Sequence, residues 1–538
     1  MASPAWPSYL RPHRSADVPV LARLAIALAS GVILSFSFHG QHPAIYSWFS
    51  LALLLSSILG ARARVAFLCG FLHGLFFVLT CVSWIAEVLS VHGGMSAAAG
   101  WAVLLLIAVI WGASIGLFTW MVQRLSLQSY SLALFGAPFL WISTEVLRAY
   151  LPEISFPWGL LGYPAAGNPA IAQATTLTGI YGVSFMVAAF NALLVWSDSA
   201  TETFSKRRVL ILAGACVAIL LVILAGPPFV PRAQAHHVAR VLQTNFPENL
   251  EYPGDWYVSH EQDLRDLERL SMPAVSGGAR PDLLIWPEAP APFSFQDPRF
   301  GPFISRVATE FGGPTVVGII EWKPILDSTH GVSRTGLVPY NSAAMVDAEG
   351  QRRFSYDKIH LVPFGEYEPF PLIHQVVNSV SEEVGGFRKG SQRNVGKFAN
   401  GQTFSVFICY EAIYADEVRE FARNGAQLLI NISNDGWFGT SDAAEQHLRM
   451  ARIRAVENRR WILRDTNSGI TASIDPYGNV MRVMKRDTRG AADIPYDFRA
   501  DQTIYTRFGD WFAWMCVGVS AILVLATFRK AKGNKVSI

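Results

Sequence analysis

Over the first 226 residues long apolar stretches alternate with short polar loops, and from about residue 227 to 507 the pattern changes to short strand-length apolar runs and amphipathic helices. A helix that spans a bilayer needs about 20 mostly apolar residues. Seven such stretches come first, at roughly Pro19–Ser37, Ile45–Leu59, Val65–Ala86, Met95–Met121, Ser131–Leu147, Ile180–Trp196 and Arg208–Ala225, and an eighth runs from Phe508 to Phe528. The expected organisation is a seven-span membrane domain over residues 1–226, a polar domain over 227–507, and an eighth span with a polar tail over 508–538. Ala27-Leu28-Ala29 has the small-residue spacing of a signal-peptidase site, but Arg23 interrupts the apolar segment before it and more spans follow, so it is read as retained helix. Pro152–Thr178 is too interrupted by Pro and Gly to span and is expected at the outer interface, where Trp and Tyr are favoured.

In the polar stretch, alternating or β-branched runs predict strands at Val238–Leu242, Leu283–Ile285, Thr315–Ile320, Ser342–Val346, Arg353–Tyr356, Phe404–Ile408, Gln427–Ile432, Trp461–Arg464, Ile470–Ile474 and Val480–Met484. Helical spacing marks Ser259–Met272, with Leu264, Leu267 and Leu270 on one face, together with Pro302–Phe311, Ala412–Asn424 and Ala443–Arg459. Asp347-Ala348-Glu349-Gly350 and Asp475-Pro476-Tyr477-Gly478 are hairpin turns. Strands alternating with helices predict a two-layer or sandwiched α/β domain.

Composition agrees with a membrane protein in part: 51% of residues are hydrophobic and only 16% charged. The net charge of +3 makes no case for nucleic acid, but the distribution of charge is informative. Arg11, Arg14, Arg23, Arg62, Arg64, Arg124, Lys206, Arg207 and Arg208, with Arg529, Lys530, Lys532 and Lys535 of the tail, all fall on one side of the expected spans. The opposite loops, near His39–Pro43 and Glu87–Gly94, carry no Lys or Arg. Positive charge stays cytoplasmic, so both termini are expected inside and the polar domain outside, periplasmic in a Gram-negative cell. Glu145 and Arg148, three apart near the end of the fifth span, are expected to form an ion pair, with a lipid headgroup as the other partner considered.

Three predicted strands end on reactive groups: Glu288 after Trp286-Pro287, Lys358 after Tyr356-Asp357, and Cys409 after Phe407-Ile408. Cys69, Cys81, Cys216 and Cys516 lie in apolar runs, so Cys409 is the one thiol of the polar domain and has no partner there for a disulfide. A thiol of reference pKa about 8.5 is mostly protonated at neutral pH and needs a base, or a nearby cation, before it attacks. Glu288 can be that base, while the Lys358 ammonium and the backbone N–H of Tyr410 can hold the negative oxygen of a tetrahedral intermediate. Each residue alone has an ordinary structural reading, as a solvated strand end, a surface cation or core filling.

The strings around them are more specific: Trp286-Pro287-Glu288, then Tyr356-Asp357-Lys358-Ile359-His360-Leu361-Val362-Pro363-Phe364-Gly365-Glu366-Tyr367, Cys409-Tyr410-Glu411 and Asn434-Asp435-Gly436-Trp437-Phe438-Gly439. In order and spacing they resemble the nitrilase (carbon–nitrogen hydrolase) superfamily and, with eight spans around them, the apolipoprotein N-acyltransferase family. The resemblance covers nearly the whole chain. It implies an α/β/β/α sandwich with a catalytic triad of Glu288, Lys358 and Cys409. It also implies ping-pong transfer of a fatty acyl chain from a phospholipid, through a Cys409 thioester, to the α-amino group of a diacylated apolipoprotein's N-terminal cysteine. Glu366 matches a position that supports the lysine or the transfer, and Tyr410, Glu411, Trp437 and Phe438 match positions that shape the pocket. The family commonly has tryptophan shortly after a Q-x-N-x-P segment; this chain has Tyr252 there, with Trp256 nearby.

A lipid donor also accounts for a soluble-type domain tethered between two spans, because tethering keeps its pocket where acyl chains are concentrated. Phe364, Tyr367, Phe370, Trp437 and Phe438 are then expected to form a lid that shields the thioester from water. His236 and His237 are adjacent and His360 and His447 lie near the motifs, but their spacing does not suit a metal; His360 is expected to pack beside Lys358. No glycine-rich phosphate loop is present, so no cofactor is expected. Two other readings remain open on residues alone: a tethered amidase using water as second nucleophile, and a transporter or receptor whose outer domain only binds. Nothing in the chain bears on oligomeric state.

Overall fold

The computed structural model describes residues 18–40, 44–151, 155–198, 206–247, 261–273, 280–288, 295–324, 336–367, 386–482 and 484–533. Two compact units divide the chain: residues 1–86, 98–230 and 508–538 form one, and residues 87–97 and 231–507 the other.

In the first unit every apolar stretch is helical: Val20–Phe36, Ala44–Ile58, Ala63–Cys81, Ala97–Ser126, Tyr130–Tyr150, Ile180–Asp198, Lys206–Ala225 and Trp511–Gly533. Six of these are long and apolar enough to cross a membrane, while the first two have 17 and 15 residues. At 1.5 Å per residue the shorter one is about 22 Å long, less than the roughly 30 Å hydrocarbon core. The expected third span ends earlier than its apolar run: the helix stops at Cys81, and a separate helix, Trp84–Val91, follows. Glycines set the packing. A Cβ on Gly74 would lie 2.8 Å from the Gly112 Cα, and one on Gly70 would lie 2.4 Å from the Ile115 carbonyl oxygen, so Ala63–Cys81 and Ala97–Ser126 meet backbone to backbone.

One expectation about polar groups in this unit is corrected. Among the described residues Glu145 and Arg148 form no ion pair. Glu145 Oε1 instead accepts from Trp141 Nε1 at 2.9 Å and from the Leu161 backbone N–H at 2.7 Å, while Arg148 donates to Ser114 Oγ at 3.2 Å and lies 4.7 Å over the Trp111 ring. The backbone satisfies the carboxylate because the broken segment turns back on the helix that carries it. The described part of that segment forms three single-turn helices, and Trp158, Leu161 and Tyr163 on it are buried. Arg23 is also buried, and donates to the carbonyls of Ser57 and Leu59 at 2.6 and 2.9 Å, capping the C-terminus of Ala44–Ile58.

The second unit is the expected sandwich. Its strands are β1 (His237–Gln243), β2 (Leu283–Ile285), β3 (Thr315–Pro324), β4 (Leu337–Val346), β5 (Arg352–Asp357), β6 (Gly396–Lys397), β7 (Thr403–Ile408), β8 (Leu428–Ser433), β9 (Trp461–Thr466), β10 (Ala472–Ile474), β11 (Val480–Arg482) and β12 (Gly490–Tyr496). They form two six-stranded sheets, ordered β12-β1-β2-β3-β4-β5 and β11-β10-β9-β8-β7-β6. Successive residues of a strand face opposite ways. Ala239, Val241, Leu283 and Ile285 thus join Val406, Ile408, Ile430 and Leu463 in the core between the sheets, while Leu242, Leu284 and Trp286 pack outward against the helix Phe300–Phe311. On the far side of the second sheet lie Ala415–Arg423 and Ala443–Asn458, which gives the α/β/β/α order.

Strand β12, with Gly490, Asp493 and Pro495, lacks a strand pattern and was not expected; it is tolerated because it lies at a sheet edge, paired only to β1. The helix expected from Ala412 begins instead at Ala415, because Cys409–Ile413 forms a tight 3₁₀ turn.

Candidate active site

The reactive residues arrive at the site because parallel strands carry them there. Strands β1, β2 and β3 are parallel neighbours, and β7, β8 and β9 likewise in the other sheet, so Glu288 follows the end of β2, and Cys409 the end of β7, at carboxyl ends of parallel strands. Lys358 follows β5, the strand on the outer flank of β4. Side-chain polarity finishes the assembly. Glu288 Oε1 accepts from Lys358 Nζ at 3.2 Å and Asn341 Nδ2 at 2.7 Å; Glu366 Oε1 accepts from the same two donors at 3.0 and 2.6 Å. Glu366 Oε2 takes the Val362 backbone N–H at 2.7 Å, which fixes the turn Val362-Pro363-Phe364-Gly365. Among the described residues Glu288 Oε2 is buried without a hydrogen-bond partner.

Lys358 is fully enclosed. Burial alone would lower its pKa, but the carboxylates of Glu288 and Glu366 more than offset this and hold it well above the usual lysine range. The ammonium therefore keeps its charge. Cys409 is 7% exposed and electrostatically coupled to both Glu288 and Lys358. Burial, and then the Glu288 carboxylate, push its thiol up, against the pull of Lys358. At rest the sulfur is protonated, and a base has to act on it.

The backbone at Cys409 has φ +47°, a left-handed conformation that a residue with a Cβ adopts only when its surroundings impose it. Glu411 does part of this. Its fully buried carboxylate accepts from Tyr356 Oη (2.7 Å), Ile359 N (2.7 Å) and His360 N (3.2 Å) on the lysine side, and from Ile408 N (2.7 Å) on the thiol side. It clamps the segments bearing Lys358 and Cys409 together. Tyr410 is buried edge-on to Tyr414 at 5.4 Å. Trp437 and Phe438 are half-buried in the turn Asp435–Phe438; Trp437 meets His92 edge-on at 5.3 Å, and Phe438 meets His447 edge-on at 5.7 Å. His360 stacks on Tyr414 at 3.9 Å and approaches Glu417 at 3.3 Å. Tyr252, Trp256 and Phe370 lie outside the described residues.

Comparison with known proteins follows the same division of the chain. Residues 30–193 match the family described as the apolipoprotein N-acyltransferase N-terminal domain, and residues 239–498 match carbon-nitrogen hydrolase. The chain is 32% identical to an apolipoprotein N-acyltransferase of Geobacter metallireducens over 513 residues, covering 94% of this chain and 95% of that one. It is 30% identical to that of Rhodopseudomonas palustris, covering 94% and 95%, and 28% identical to that of Chlorobaculum tepidum, covering 94% and 96%. The chain belongs to the apolipoprotein N-acyltransferase family.

Membership makes it a membrane-bound acyltransferase built on the carbon–nitrogen hydrolase fold. Two parts of this N-acyltransferase site escaped the sequence reading. Asn341, which bridges the two carboxyl groups, fell just outside a strand expected to begin at Ser342; strand β4 in fact starts at Leu337. The signal was available in register, since Asn341 sits two residues from Ala343 on the same face. His447, considered only as a metal ligand, lies instead behind Cys409, with Nε2 at 2.9 Å from the Cys409 carbonyl oxygen. Its partners, Asp435 and Arg464, come from other elements, and only the folded chain brings them together.

Proposed function

We propose that Glu288, Lys358 and Cys409 catalyse ping-pong transfer of a fatty acyl chain from a phospholipid to the α-amino group of a diacylated apolipoprotein. The supporting observation is the meeting of Lys358 Nζ with the buried carboxyl groups of Glu288 and Glu366, one Glu288 oxygen having no partner among the described residues, together with a buried thiol on left-handed backbone at Cys409.

In the first half-reaction Glu288 Oε2 takes the Sγ proton of Cys409, and the sulfur bonds to the ester carbonyl carbon of the donor. The carbonyl electron pair moves onto oxygen, where Lys358 Nζ and the Tyr410 backbone N–H stabilise it. Collapse breaks the bond to the glycerol oxygen, which leaves with the proton from Glu288, giving a lysophospholipid and a Cys409 thioester. In the second, the neutral acceptor amine attacks the thioester carbon, Glu288 accepts a proton from the nitrogen, and the C–S bond breaks as the proton returns to Sγ. The product is an amide. Asn341 and Glu366 hold Lys358 and Glu288 in place throughout. Aromatic residues Phe364, Tyr367, Trp437 and Phe438 exclude water from the thioester.

The same reading takes residues 1–226 and 508–538 as the anchor, and residues 227–507 as an outward-facing catalytic domain with both termini in the cytoplasm. Lys and Arg gathered on one side of the spans support this orientation. So does the grouping of Glu87–Ala97, a loop without Lys or Arg, with the catalytic unit.

Intact-mass analysis of purified protein mixed with phospholipid is expected to show one acyl chain on the peptide containing Cys409. Adding a diacylated lipopeptide should discharge it as an N-acyl product. Product that accumulates with Cys409→Ala protein would refute the covalent route, and discharge to free fatty acid alone would point to hydrolysis.

A further inference from the structure

We propose that His447 is the positioning residue of the oxyanion-binding peptide: by donating from Nε2 to the Cys409 carbonyl oxygen, it aims the Tyr410 N–H at the reacting carbonyl. The inference rests on the triad reading above. The carbonyl of Cys409 and the N–H of Tyr410 belong to one planar trans peptide unit and point in opposite directions. A donor that pins the oxygen from behind therefore sets the direction of the hydrogen in front.

The proton on Nε2 follows from its partner. A carbonyl oxygen can only accept, so Nε2, 2.9 Å away, carries a proton. Burial, and then the Arg464 guanidinium, lower the pKa of His447, with Asp435 and the Cys409 carbonyl opposing. On the other edge of the ring Nδ1 lies 3.1 Å from both Arg464 Nη2 and Asp435 Oδ1, so the Asp435–Arg464 pair holds the imidazole in place. Arg464 is anchored in turn, with Nη2 at 2.8 and 2.6 Å from the two oxygens of Asp435 and Nη1 bonded to Asn431. Asp435 also accepts from Ser433 Oγ at 3.0 Å, and the Arg464 guanidinium holds its carboxyl well below the usual range against the effect of burial. Asp435, Arg464 and His447, all fully buried, thus form a continuous run of polar contacts that ends on the Cys409 carbonyl. It also opposes any relaxation of the left-handed φ at Cys409, since rotating that peptide would break the bond from the imidazole. A donor on the carbonyl polarises the amide as well, and strengthens its N–H for an oxyanion.

The test separates aiming the oxyanion donor from merely supporting the thiol. Alkylation of Cys409 by a haloacetamide displaces a halide and forms no oxyanion; acylation by micellar phosphatidylethanolamine and phosphatidylglycerol does form one. His447→Leu is expected to slow acylation about 10- to 100-fold, at or below the loss from deleting an oxyanion donor outright, with KM for phospholipid and the alkylation rate near wild type. His447→Gln, whose amide nitrogen reaches the Nε2 position, should recover most of the loss, and His447→Asn, which reaches only Nδ1, should not. Acylation at the wild-type rate in His447→Leu, or equal acylation in the Gln and Asn variants, overturns the proposal; so does an alkylation rate that falls in step with acylation. If the leucine variant unfolds, seen as faster alkylation of a normally buried thiol, the Gln and Asn pair decides. Failure of wild-type protein to acquire the acyl adduct would instead defeat the triad reading itself.

Discussion

Two buried polar clusters flank Cys409, and they are built on opposite principles. On one side, two carboxyl groups, Glu288 and Glu366, share one ammonium and one amide, and an oxygen of Glu288 has no partner among the described residues. Behind the backbone, one acid, Asp435, faces one base, Arg464, and His447, in contact with both, bonds the Cys409 carbonyl. Buried charge is costly unless it is matched, so one acid facing one base suits a cluster that holds shape, whereas two acids around one base leave a carboxylate able to take up a proton. The unbalanced cluster is the one that can move protons.

The comparison breaks most sharply at the sulfur and its base. Cys409→Ala is expected to abolish both half-reactions in an assay that follows thioester and N-acyl product separately. Glu288→Gln should slow thioester formation by about 10²- to 10⁴-fold, the usual worth of a general base, without unfolding the protein. Asp435→Asn probes the other cluster and should behave differently. It leaves Arg464 buried without its counter-charge, at a cost of about 3–5 kcal/mol, read as a lower thermal unfolding midpoint in detergent.

Glu411→Ala falls between the two, since it orphans donors on both the lysine and the thiol segments. We expect a loss of about 1–3 kcal/mol in unfolding free energy, with lower activity that excess phospholipid does not restore. The smallest effect is at His360. Burial alone would depress its pKa, but the Glu417 contact raises it, so the stability it contributes is full below the unfolded value and fades as pH rises through the folded one. The gap in unfolding midpoint between wild type and His360→Gln should therefore be widest in mild acid and close toward alkaline pH; a gap that widens with pH would show that this contact acts otherwise.

The sequence by itself determined the elements and the reactive residue types. Apolar runs mark the eight major helices of the described residues, six of them long enough to span a bilayer, and strand patterns ending on Glu288, Lys358 and Cys409 mark the candidate site, because burial requirements and local motifs are written in consecutive residues. Tertiary structure alone decided the partners of the polar groups. Glu145 took the backbone of Leu161 and left Arg148 to Ser114, Arg23 capped a neighbouring helix, and Asn341 and His447 acquired their roles across 53 and 38 residues of intervening sequence. The reason is physical. Apolar burial is non-directional and can be read from a one-dimensional pattern, whereas a hydrogen bond needs a donor and acceptor near 3 Å and in line, a condition that exists only once the chain has folded.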